Sequence, residues 1–527
     1  MSNNIKNKKH VKNGSCYEKD GWKIVSIRGS PKERGKAHGL LLADHFKQAL
    51  DTCKFATLYS TGHDWEYFIE ASKKLYNETI KSKFPELYEE MEGIAEGCNE
   101  AGVKTSLDEI IAWNNTFALL GYWLPNSGEK KGAGGLEGGS AQDRCSAFIA
   151  VGDYTSDGKI VVAHNSFTDF SDGQFENCII DIHPDKGHRI IMQSPPCYIW
   201  SGTDFFVTGK GIIGTETTIG GFGSFENNYP ISCRIRKAMQ HGNTLDEYVD
   251  ILWEGNSGDY ANSWLFGDIN TQEIMRLELG LKYKSVERTK NGVFIGFNAP
   301  YDPQIRNLEC SNTGMDDLRR HQGARKVRLG DLMETHKGKL NVSLAMKIIA
   351  DHYDVYLNKD NPSSRTVCGH YELDAREYMS EPGRPKPFQP RGAVDGCVAD
   401  SKMIENMSFM GRFGCSCGTP FIASKFLDKN RVWMHLKPYL LDRPTQKWTL
   451  LASDGSSNKN KKSKKTRRNK KEESGKHAKT QKSHYTAVDT EVNGDKDDKT
   501  TSTSETSEHD DDEKHHDKDD NDDSKDE

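Results

Sequence analysis

The chain has 527 residues, of which 35% are hydrophobic and 28% are charged, and its formal net charge at pH 7 is −6. This composition is typical of a soluble protein with one large or two medium-sized domains. No apolar run approaches the roughly 18–20 residues of a membrane-spanning helix. The basic N-terminus predicts no secretory signal peptide, and we find no P-loop, dinucleotide-binding or zinc-protease motif.

The N-terminal quarter carries helix signals. Residues 1–24 are polar and are predicted to be a flexible N-terminus, whereas residues 25–131 are predicted to form a helical layer. Ser30-Pro31 and Pro85 each stand where a helix begins. Ser106 and Glu109 form a Ser-x-x-Glu capping box in front of a third helix.

A glycine-rich segment, residues 132–144, then separates the helices from a strand-rich part. Residues 145–453 contain short runs of β-branched and aromatic residues joined by Asp-Gly, Lys-Gly and Asn-Gly turns, with helical stretches near 232–253, 316–336 and 341–352. Strands in hairpin order that are packed by helices favour an α+β fold of stacked layers over an alternating βαβ array.

The last segment, residues 454–527, is predicted to be a disordered tail because it has too few apolar residues to bury. Residues 459–482 hold twelve Lys or Arg against two Asp or Glu, and residues 489–527 hold eighteen Asp or Glu against five Lys. The basic block could make a weak contact with anionic lipid or nucleic acid. Alternatively, the two halves attract each other and the tail only keeps the chain in solution.

The twelve cysteines are scattered singly, apart from Cys415 and Cys417. This pattern predicts reduced thiols and a cytoplasmic or other intracellular location. Two thiols at C-x-C spacing could share a metal ion or form a strained disulfide. Because no second pair and no His-x-His lies near them in the sequence, a structural zinc site is not expected there. We therefore predict no metal site and no cofactor.

Cys145 lies where the glycine-rich segment meets an apolar strand, in Asp143-Arg144-Cys145-Ser146. A single cysteine at a strand start is most often a small buried apolar residue. If the Arg144–Cys145 bond were cut, however, Cys145 would carry a free α-amine beside its thiol. An α-amine has a reference pKa near 7.7–8.0 and is a good general base close to neutral pH. One residue would then supply both the nucleophile and the base.

Five segments together resemble the phospholipase B-like (laminin ancestor) family and the related penicillin acyltransferase-like enzymes. They are residues 28–39 (RGSPKERGKAHG), 145–148 (CSAF), 163–166 (AHNS), 215–218 (TETT) and 256–264 (NSGDYANSW). Both groups are N-terminal-nucleophile hydrolases. The resemblance covers roughly residues 25–450, and it implies the αββα sandwich of that class, in which two antiparallel sheets stack between helical layers.

The resemblance implies that Cys145 is the nucleophile at the first residue of a central strand. His164 follows the Ser156-Asp157-Gly158 turn, so it would lie on the adjacent hairpin strand and orient the thiol or the substrate. Otherwise it is an ordinary core histidine. Asn262 offers a neutral amide donor of the kind that an oxyanion hole needs; otherwise it is a turn or strand-edge residue.

Four further residues are predicted to stand behind this catalytic set: Glu216, Thr217, Thr218 and Arg234. A glutamate in a buried strand needs a charged partner or a raised pKa. Arg234 or Arg236 could be that partner of Glu216.

The sequence thus predicts an enzyme that cleaves an acyl ester or amide, on a lipid-like or N-acyl substrate, through a thioester on Cys145. Self-cleavage at Arg144–Cys145 would leave two fragments that stay associated. Two alternatives stay open: an acyltransferase that uses an amine acceptor, and a non-catalytic binding protein of the same fold. The sequence does not define the acyl donor or the oligomeric state.

Overall fold

The protein is described by a computed structural model over residues 6–128, 145–311, 313–375 and 387–452. The whole glycine-rich segment 132–144, including Arg144, and the tail 454–527 therefore lie outside the described residues. Within the described part of the chain, no helix combines the length and the apolar character needed to cross a membrane.

The strands and helices alternate in blocks along the chain. The strands are β1 (Lys6–Val11), β2 (Gly14–Lys19), β3 (Trp22–Gly29), β4 (Cys145–Gly152), β5 (Gly158–Asp169), β6 (Cys178–Pro184), β7 (Ile190–Ser194), β8 (Phe205–Thr208), β9 (Ile212–Thr218), β10 (Asn262–Asp268), β11 (Glu273–Leu279), β12 (Lys284–Thr289), β13 (Gly292–Gly296), β14 (Tyr353–Asp354), β15 (Lys359–Asp360), β16 (Arg391–Ala393), β17 (Asp395–Asp400), β18 (Ser408–Phe413) and β19 (Thr449–Ala452).

The helices fall into an N-terminal group and a later, dispersed group. They are α1 (Pro31–Thr61), α2 (Trp65–Ser72), α3 (Glu78–Lys83), α4 (Pro85–Glu100), α5 (Leu107–Asn114), α6 (Thr116–Ala118), α7 (Leu124–Asn126), α8 (Phe170–Gly173), α9 (Ile231–His241), α10 (Leu245–Trp253), α11 (His321–Thr335), α12 (Val342–Ile348), α13 (Ser401–Glu405) and α14 (Ala423–Lys429). Ser30, with Pro31 after it, caps α1, and Ser106 accepts from the Glu109 N–H at the start of α5, as the capping signals predict.

Two sheets stack between two helical layers. One has ten strands in the order β1-β2-β3-β6-β7-β8-β9-β10-β11-β12, and the other has the order β13-β4-β5-β17-β18-β19, with β16 also paired to β5. An apolar core that includes Ile149 and Leu265 fills the space between the sheets. The N-terminal helices with α9 and α10 cover the larger sheet, while α11 and α12 cover the smaller one. The predicted αββα sandwich is confirmed.

The predicted flexible N-terminus is wrong for residues 6–24, which form β1, β2 and the start of β3. β3 runs parallel to β6 and buries Trp22, so this segment belongs to the larger sheet. Its hairpins turn at Lys12-Asn13 and at Asp20-Gly21, where Asn13 and Asp20 have φ values of 66° and 47°. Asp-Gly is a usual residue pair of two-residue hairpin turns, and its presence was the missed signal.

The early motif of residues 28–39 serves helix packing. Gly35 and Gly39 of α1 lie directly against the backbone of α4: a Cβ atom at these positions would come within 2.0 Å of the Glu90 carbonyl oxygen and 2.2 Å of the Ile94 carbonyl oxygen. Gly93 and Gly97 of α4 have the same relation to α1. The glycines thus allow the two helix backbones to touch.

A buried ion-pair network joins these helices to α9. Glu90 of α4 accepts from Arg34 Nε at 2.8 Å and from Arg236 Nη1 and Nη2 at 3.1 and 3.0 Å, and all three side chains are buried. Although burial opposes it, Arg236 and Arg34 hold the pKa of Glu90 below its usual value. Glu90 therefore compensates two buried guanidinium groups at once.

We expect Glu90→Gln to lower the free energy of unfolding by about 3–5 kcal/mol, because it leaves the buried Arg236 with a neutral partner and removes one of the carboxylates that pair with Arg34. Urea unfolding measures this loss. Glu92→Gln on the same helix is the matched control, since Glu92 pairs with Lys32 at the surface and such pairs contribute at most about 1 kcal/mol. Equal unfolding midpoints for the two variants would contradict this account.

Candidate active site

Cys145 is the first residue of β4, a central strand of the smaller sheet, and only 1% of it is exposed. Its N–H donates to Asn298 Oδ1 at 3.2 Å, and its carbonyl oxygen accepts from Arg325 Nη1. The thiol lies 3.9 Å from Glu216 Oε1. Both backbone polar groups and the side chain of the predicted nucleophile are therefore held by side chains from other elements.

Asn298 is positioned by the strand next to β4. β13 pairs with β4 so that Gly296 is opposite Ala147, and continuing this register by two residues brings Asn298 opposite Cys145. The Asn298 Nδ2 donates to the Thr218 carbonyl at 2.7 Å, which leaves Oδ1 directed at the Cys145 N–H. Asn298 has a φ of 69°. A left-handed backbone is uncommon for residues other than glycine, although asparagine tolerates it better than most.

Arg325 of α11 completes the clamp on β4. Its Nη2 donates to Asn298 Oδ1 at 2.8 Å, and its Nη1 also donates to Ser146 Oγ at 3.1 Å. The guanidinium is buried and is anchored by its Nε, which donates to the His321 carbonyl at 3.0 Å. Arg325 thereby fixes Asn298 and the start of β4 in one rigid arrangement.

A group of polar side chains surrounds the thiol. The Tyr260 hydroxyl lies 2.9 Å from Asp204 Oδ2 and 3.0 Å from Glu216 Oε1. A phenol has one hydrogen, so it can donate to only one of these carboxyl groups at a time. Ligand atoms of Cys145, Asp204 and Glu216 all lie within 4.8 Å of one another. The thiol therefore has a carboxyl group within reach to accept its proton.

The predicted ion pair between Glu216 and Arg234 or Arg236 does not form. Arg234 donates to Asp259 Oδ1 at 2.8 Å, and Arg236 binds Glu90. The physical reason is that α9 directs Arg234 to Asp259, in the loop before β10, and Arg236 to Glu90 of α4, so both guanidinium groups pair with other buried carboxylates. Glu216 Oε1 lies instead 3.0 Å from the Tyr260 hydroxyl.

Asp259 and Tyr260 explain the motif of residues 256–264. Asn256 donates to the Gly280 carbonyl at 2.6 Å and Asp259 receives Arg234, so these two residues hold the loop. Tyr260 then reaches Glu216, and Asn262 begins β10. The motif thus combines two residues that hold the loop with Tyr260, which contacts the carboxyl group beside the thiol, and with Asn262, which begins the next strand.

Asn262 is buried, and neither its Oδ1 nor its Nδ2 has a hydrogen-bond partner among the described residues. It pairs across the sheet with Thr218, whose carbonyl binds Asn298. A buried amide without partners costs roughly 1–3 kcal/mol. Such a cost is typical of a group that is kept for a ligand or a transition state.

His164 lies on β5, and the predicted hairpin with β4 forms. Ser166 is directly opposite Cys145, however, and His164 is opposite Ala147, two residues further along the strand. Burial lowers the pKa of His164 to about 3, with the Glu216 backbone opposing the shift. His164 is therefore neutral at physiological pH and is suited to positioning rather than to proton transfer.

Thr217 and Thr218 are both buried near this group. The Thr217 side chain packs against Gly296 of β13, where a Cβ atom would come within 2.5 Å of it. Thr218 Oγ1 donates to the Tyr260 hydroxyl at 3.3 Å. Thr217 thus supports the strand beside β4, and Thr218 supports both Tyr260 and Asn298.

Sequence reasoning missed four residues of this site, namely Asn298, Arg325, Asp204 and Tyr260. A signal existed for Asn298, because it follows the strand NGVFIGF in the position that an antiparallel partner of β4 would bring to Cys145. Tyr260 lies within the motif of residues 256–264. Nothing in the local pattern marks Asp204 or Arg325.

A cavity of about 560 Å³ lies away from this site. It is lined by residues of the N-terminal hairpin and α1, including Lys9, Lys23 and His45, and it shares no lining residue with the surroundings of Cys145.

Several known proteins are similar to this chain in sequence. No protein-family model matches the chain. An uncharacterized protein of Archaeoglobus fulgidus is 28% identical over 272 residues, which cover 47% of this chain and 42% of that protein. Phospholipase B-like 2 of Rattus norvegicus is 30% identical over 141 residues, or 24% of each chain, and that of Bos taurus is 34% identical over 89 residues, or 16% and 15%.

These matches confirm the resemblance to phospholipase B-like proteins, and they span less than half of the length of those relatives. Among solved structures, a mutant of conjugated bile acid hydrolase from Clostridium perfringens aligns with 51% of this chain and 89% of its own, at 9% identity and a TM-score of 0.28. The αββα fold is therefore established by the layers and strand order of this chain rather than by that superposition.

Proposed function

We propose that this protein is a cysteine hydrolase of the N-terminal-nucleophile class, which cleaves an acyl ester or amide through a thioester on Cys145. One observation carries the proposal: the cysteine at the start of a central strand has its N–H held by Asn298, its carbonyl held by Arg325 and its thiol beside Glu216. An inert core cysteine has no need of this arrangement.

Maturation begins in the uncut chain, where the nitrogen of Cys145 is an amide and cannot act as a base. Glu216 takes the thiol proton, and the sulfur attacks the Arg144 carbonyl carbon. The Arg144–Cys145 peptide bond breaks as the nitrogen gains a proton, which leaves a thioester. Water hydrolyses the thioester, releases the Arg144 carboxyl group and leaves Cys145 with a free thiol and a free α-amine.

In turnover the α-amine of Cys145 takes the thiol proton, and the sulfur attacks the substrate carbonyl. The amide of Asn262, which has no hydrogen-bond partner among the described residues, donates to the developing oxyanion, since a fixed neutral donor stabilises that charge without a reorganisation cost. The α-ammonium then protonates the leaving group. Water resolves the acyl-enzyme in the hydrolase, and an amine resolves it in the alternative acyltransferase.

The acyl group is proposed to be apolar. Tyr260 stands among aromatic rings: the centroids of Phe117 and Trp200 each lie 6.0 Å from its own, and Tyr198 stacks on Trp200 at 5.8 Å. We infer that these rings, which are connected to the thiol through Tyr260 and Glu216, contact the acyl group, because an apolar lining suits a hydrocarbon chain. This feature and the similarity to phospholipase B-like proteins support a lipid-like or N-acyl substrate.

Intact-mass measurement and N-terminal sequencing of the purified chain test this function. We expect the 59.3 kDa chain to yield associated fragments of about 16 and 43 kDa, the larger beginning at Cys145. The matured protein should release fatty acid from a panel of N-acyl amides and acyl esters. A chain that stays uncut and yet turns over these substrates would refute the mechanism, and an uncut, inactive chain would favour the binding-protein alternative.

The pH dependence of the rate shows whether the α-amine of Cys145 or the imidazole of His164 is the titrating base. Because the α-amine must lose its proton to act as a base, kcat/KM should rise with pH through about 7.7–8.0. His164 has a pKa near 3 and stays neutral over this range. His164→Ala should therefore lower turnover without moving the midpoint. A midpoint that disappears in this variant would assign the titrating base to His164 instead.

A further inference from the structure

A second group of thiols and imidazoles lies apart from the Cys145 site. Ligand atoms of His352, Cys368, His370 and Cys417 all lie within 4.8 Å of one another. They come from the chain after α12, from the loop that leads into the turn Tyr371–Leu373, and from the loop after β18. Residues far apart in sequence therefore converge here, which is why the C-x-C spacing of Cys415 and Cys417 did not predict the site.

Three of the separations among these ligand atoms match a tetrahedral zinc site. His352 Nε2 and His370 Nε2 are 3.2 Å apart, and the sulfurs of Cys368 and Cys417 are each 3.5 Å from His370 Nε2. Zn–N bonds of about 2.0–2.1 Å and Zn–S bonds of about 2.3 Å at tetrahedral angles place two nitrogens about 3.3 Å apart and a nitrogen and a sulfur about 3.5 Å apart.

The surroundings also fit a metal-bound state. His370 Nδ1 is 2.8 Å from Glu372 Oε1, so the carboxylate fixes the tautomer that directs Nε2 into the group. This carboxylate–histidine pairing is usual behind zinc ligands. The Thr419 N–H donates to Cys417 Sγ at 3.5 Å. Cys368 and His370 are buried, whereas His352 and Cys417 are half-buried and give an ion a way in.

We propose that His352, Cys368, His370 and Cys417 bind one Zn²⁺ ion as a closed structural site. Cys415, whose sulfur is 3.1 Å from that of Cys417, stands beside the ligand set. The segment from Ile349 to Asp374 has only two-residue strands and one short turn as regular structure. A bound metal ion would further stabilise a segment with so little regular structure.

The site also touches the scaffold of the nucleophile. Asn165 Nδ2 donates to the carbonyls of Ile349 and Val367, the latter next to Cys368, and lies 3.2 Å from Ser416 Oγ, next to Cys417. Asn165 Oδ1 in turn accepts from the Ser146 N–H, one residue from Cys145. Zinc would therefore stabilise the loops that hold the start of β4.

The test is the zinc content of the full-length chain, purified under reducing conditions and measured by inductively coupled plasma mass spectrometry. We expect one zinc ion per chain in the natural protein, and its loss in Cys417→Ser and in His370→Ala. Cys310→Ser, a half-buried cysteine outside the group, is the matched control and should retain the ion. Cobalt reconstitution should give the thiolate charge-transfer and tetrahedral ligand-field bands in the natural protein and in Cys310→Ser, and in neither ligand variant.

Two further variants keep the test decisive. Cys145, Asp204 and Glu216 form the other group of described residues that could hold an ion. Cys145→Ala should retain zinc if the ion is bound by the proposed ligands. Loss of zinc in this variant would assign the ion to the Cys145 group instead. If the ligand variants fail to fold, Glu372→Gln leaves the ligands intact and should weaken zinc binding about 10–100-fold in a chelator competition.

Folded protein that takes up neither zinc nor cobalt would overturn the proposal. Unchanged zinc content in Cys417→Ser would do the same, as would a disulfide among Cys368, Cys415 and Cys417 found by peptide mapping of the purified protein. None of these outcomes depends on self-cleavage or turnover, so the zinc site and the proposed hydrolase can fail separately.

Discussion

Cys145→Ala should leave the protein as a single chain of 59.3 kDa with no turnover of any acyl substrate. The alanine has no sulfur to attack the Arg144 carbonyl, so neither the cut nor the later thioester can form. Gel electrophoresis with intact-mass measurement follows the cut, and fatty-acid release follows turnover. The fold should persist, because a small buried side chain replaces another of similar size.

Cys178→Ala is the matched control. Cys178 is also a fully buried cysteine at the first residue of a strand, β6, but it belongs to the other sheet. This variant should cut itself and turn over substrate. A fragment that still begins at residue 145 in Cys145→Ala would show that another group performs the cleavage.

The same experiment assigns the role of Glu216. Its carboxyl group lies 3.9 Å from the thiol, and general-base assistance contributes about 10²–10⁴-fold in rate. Glu216→Gln keeps the size of the side chain and the contact with Tyr260 but cannot take the proton, so the cut should slow by that factor. A cut at the natural rate would make Glu216 a positioning residue only.

The second large effect is expected at Asn262. Asn262→Ala should lower kcat by about 100- to 1,000-fold, the usual loss for one oxyanion donor. It should leave the fold near its natural stability, because the buried amide makes no hydrogen bond to the described residues that alanine could forfeit. Steady-state kinetics and urea unfolding separate these two quantities.

Asn256→Ala, in the same motif, is expected to lower stability and to leave the rate unchanged, which is the opposite of the effect expected for Asn262→Ala. Asn256 donates to the Gly280 carbonyl at 2.6 Å and accepts from the Gly258 N–H at 3.2 Å, so its loss should lower stability by about 1 kcal/mol or more. Its kcat per folded molecule should change little. If Asn262→Ala instead unfolds the protein while the folded fraction keeps its rate, Asn262 is a structural residue.

Short-range signals in the sequence determined the local elements. Ser30-Pro31 and Ser106 with Glu109 predicted helix starts, because capping satisfies backbone donors within a few residues. The turn at Asp157-Gly158 predicted the hairpin of β4 and β5, and with it the position of Cys145 at the start of a strand. The same kind of signal, Asp20-Gly21, was present in the N-terminal segment that was wrongly predicted to be flexible.

Only the tertiary structure decided which side chains meet. Asn298 and Arg325 converge on Cys145 from β13 and α11, more than 150 residues along the chain. Glu216 contacts Tyr260 and not Arg234. Sheet stacking and loop packing set these contacts, and they depend on interactions between elements that no local pattern encodes. For the same reason the sequence did not predict that Cys417 lies close to His352, Cys368 and His370. These residues are close together in the folded protein but follow no metal-binding motif in the sequence.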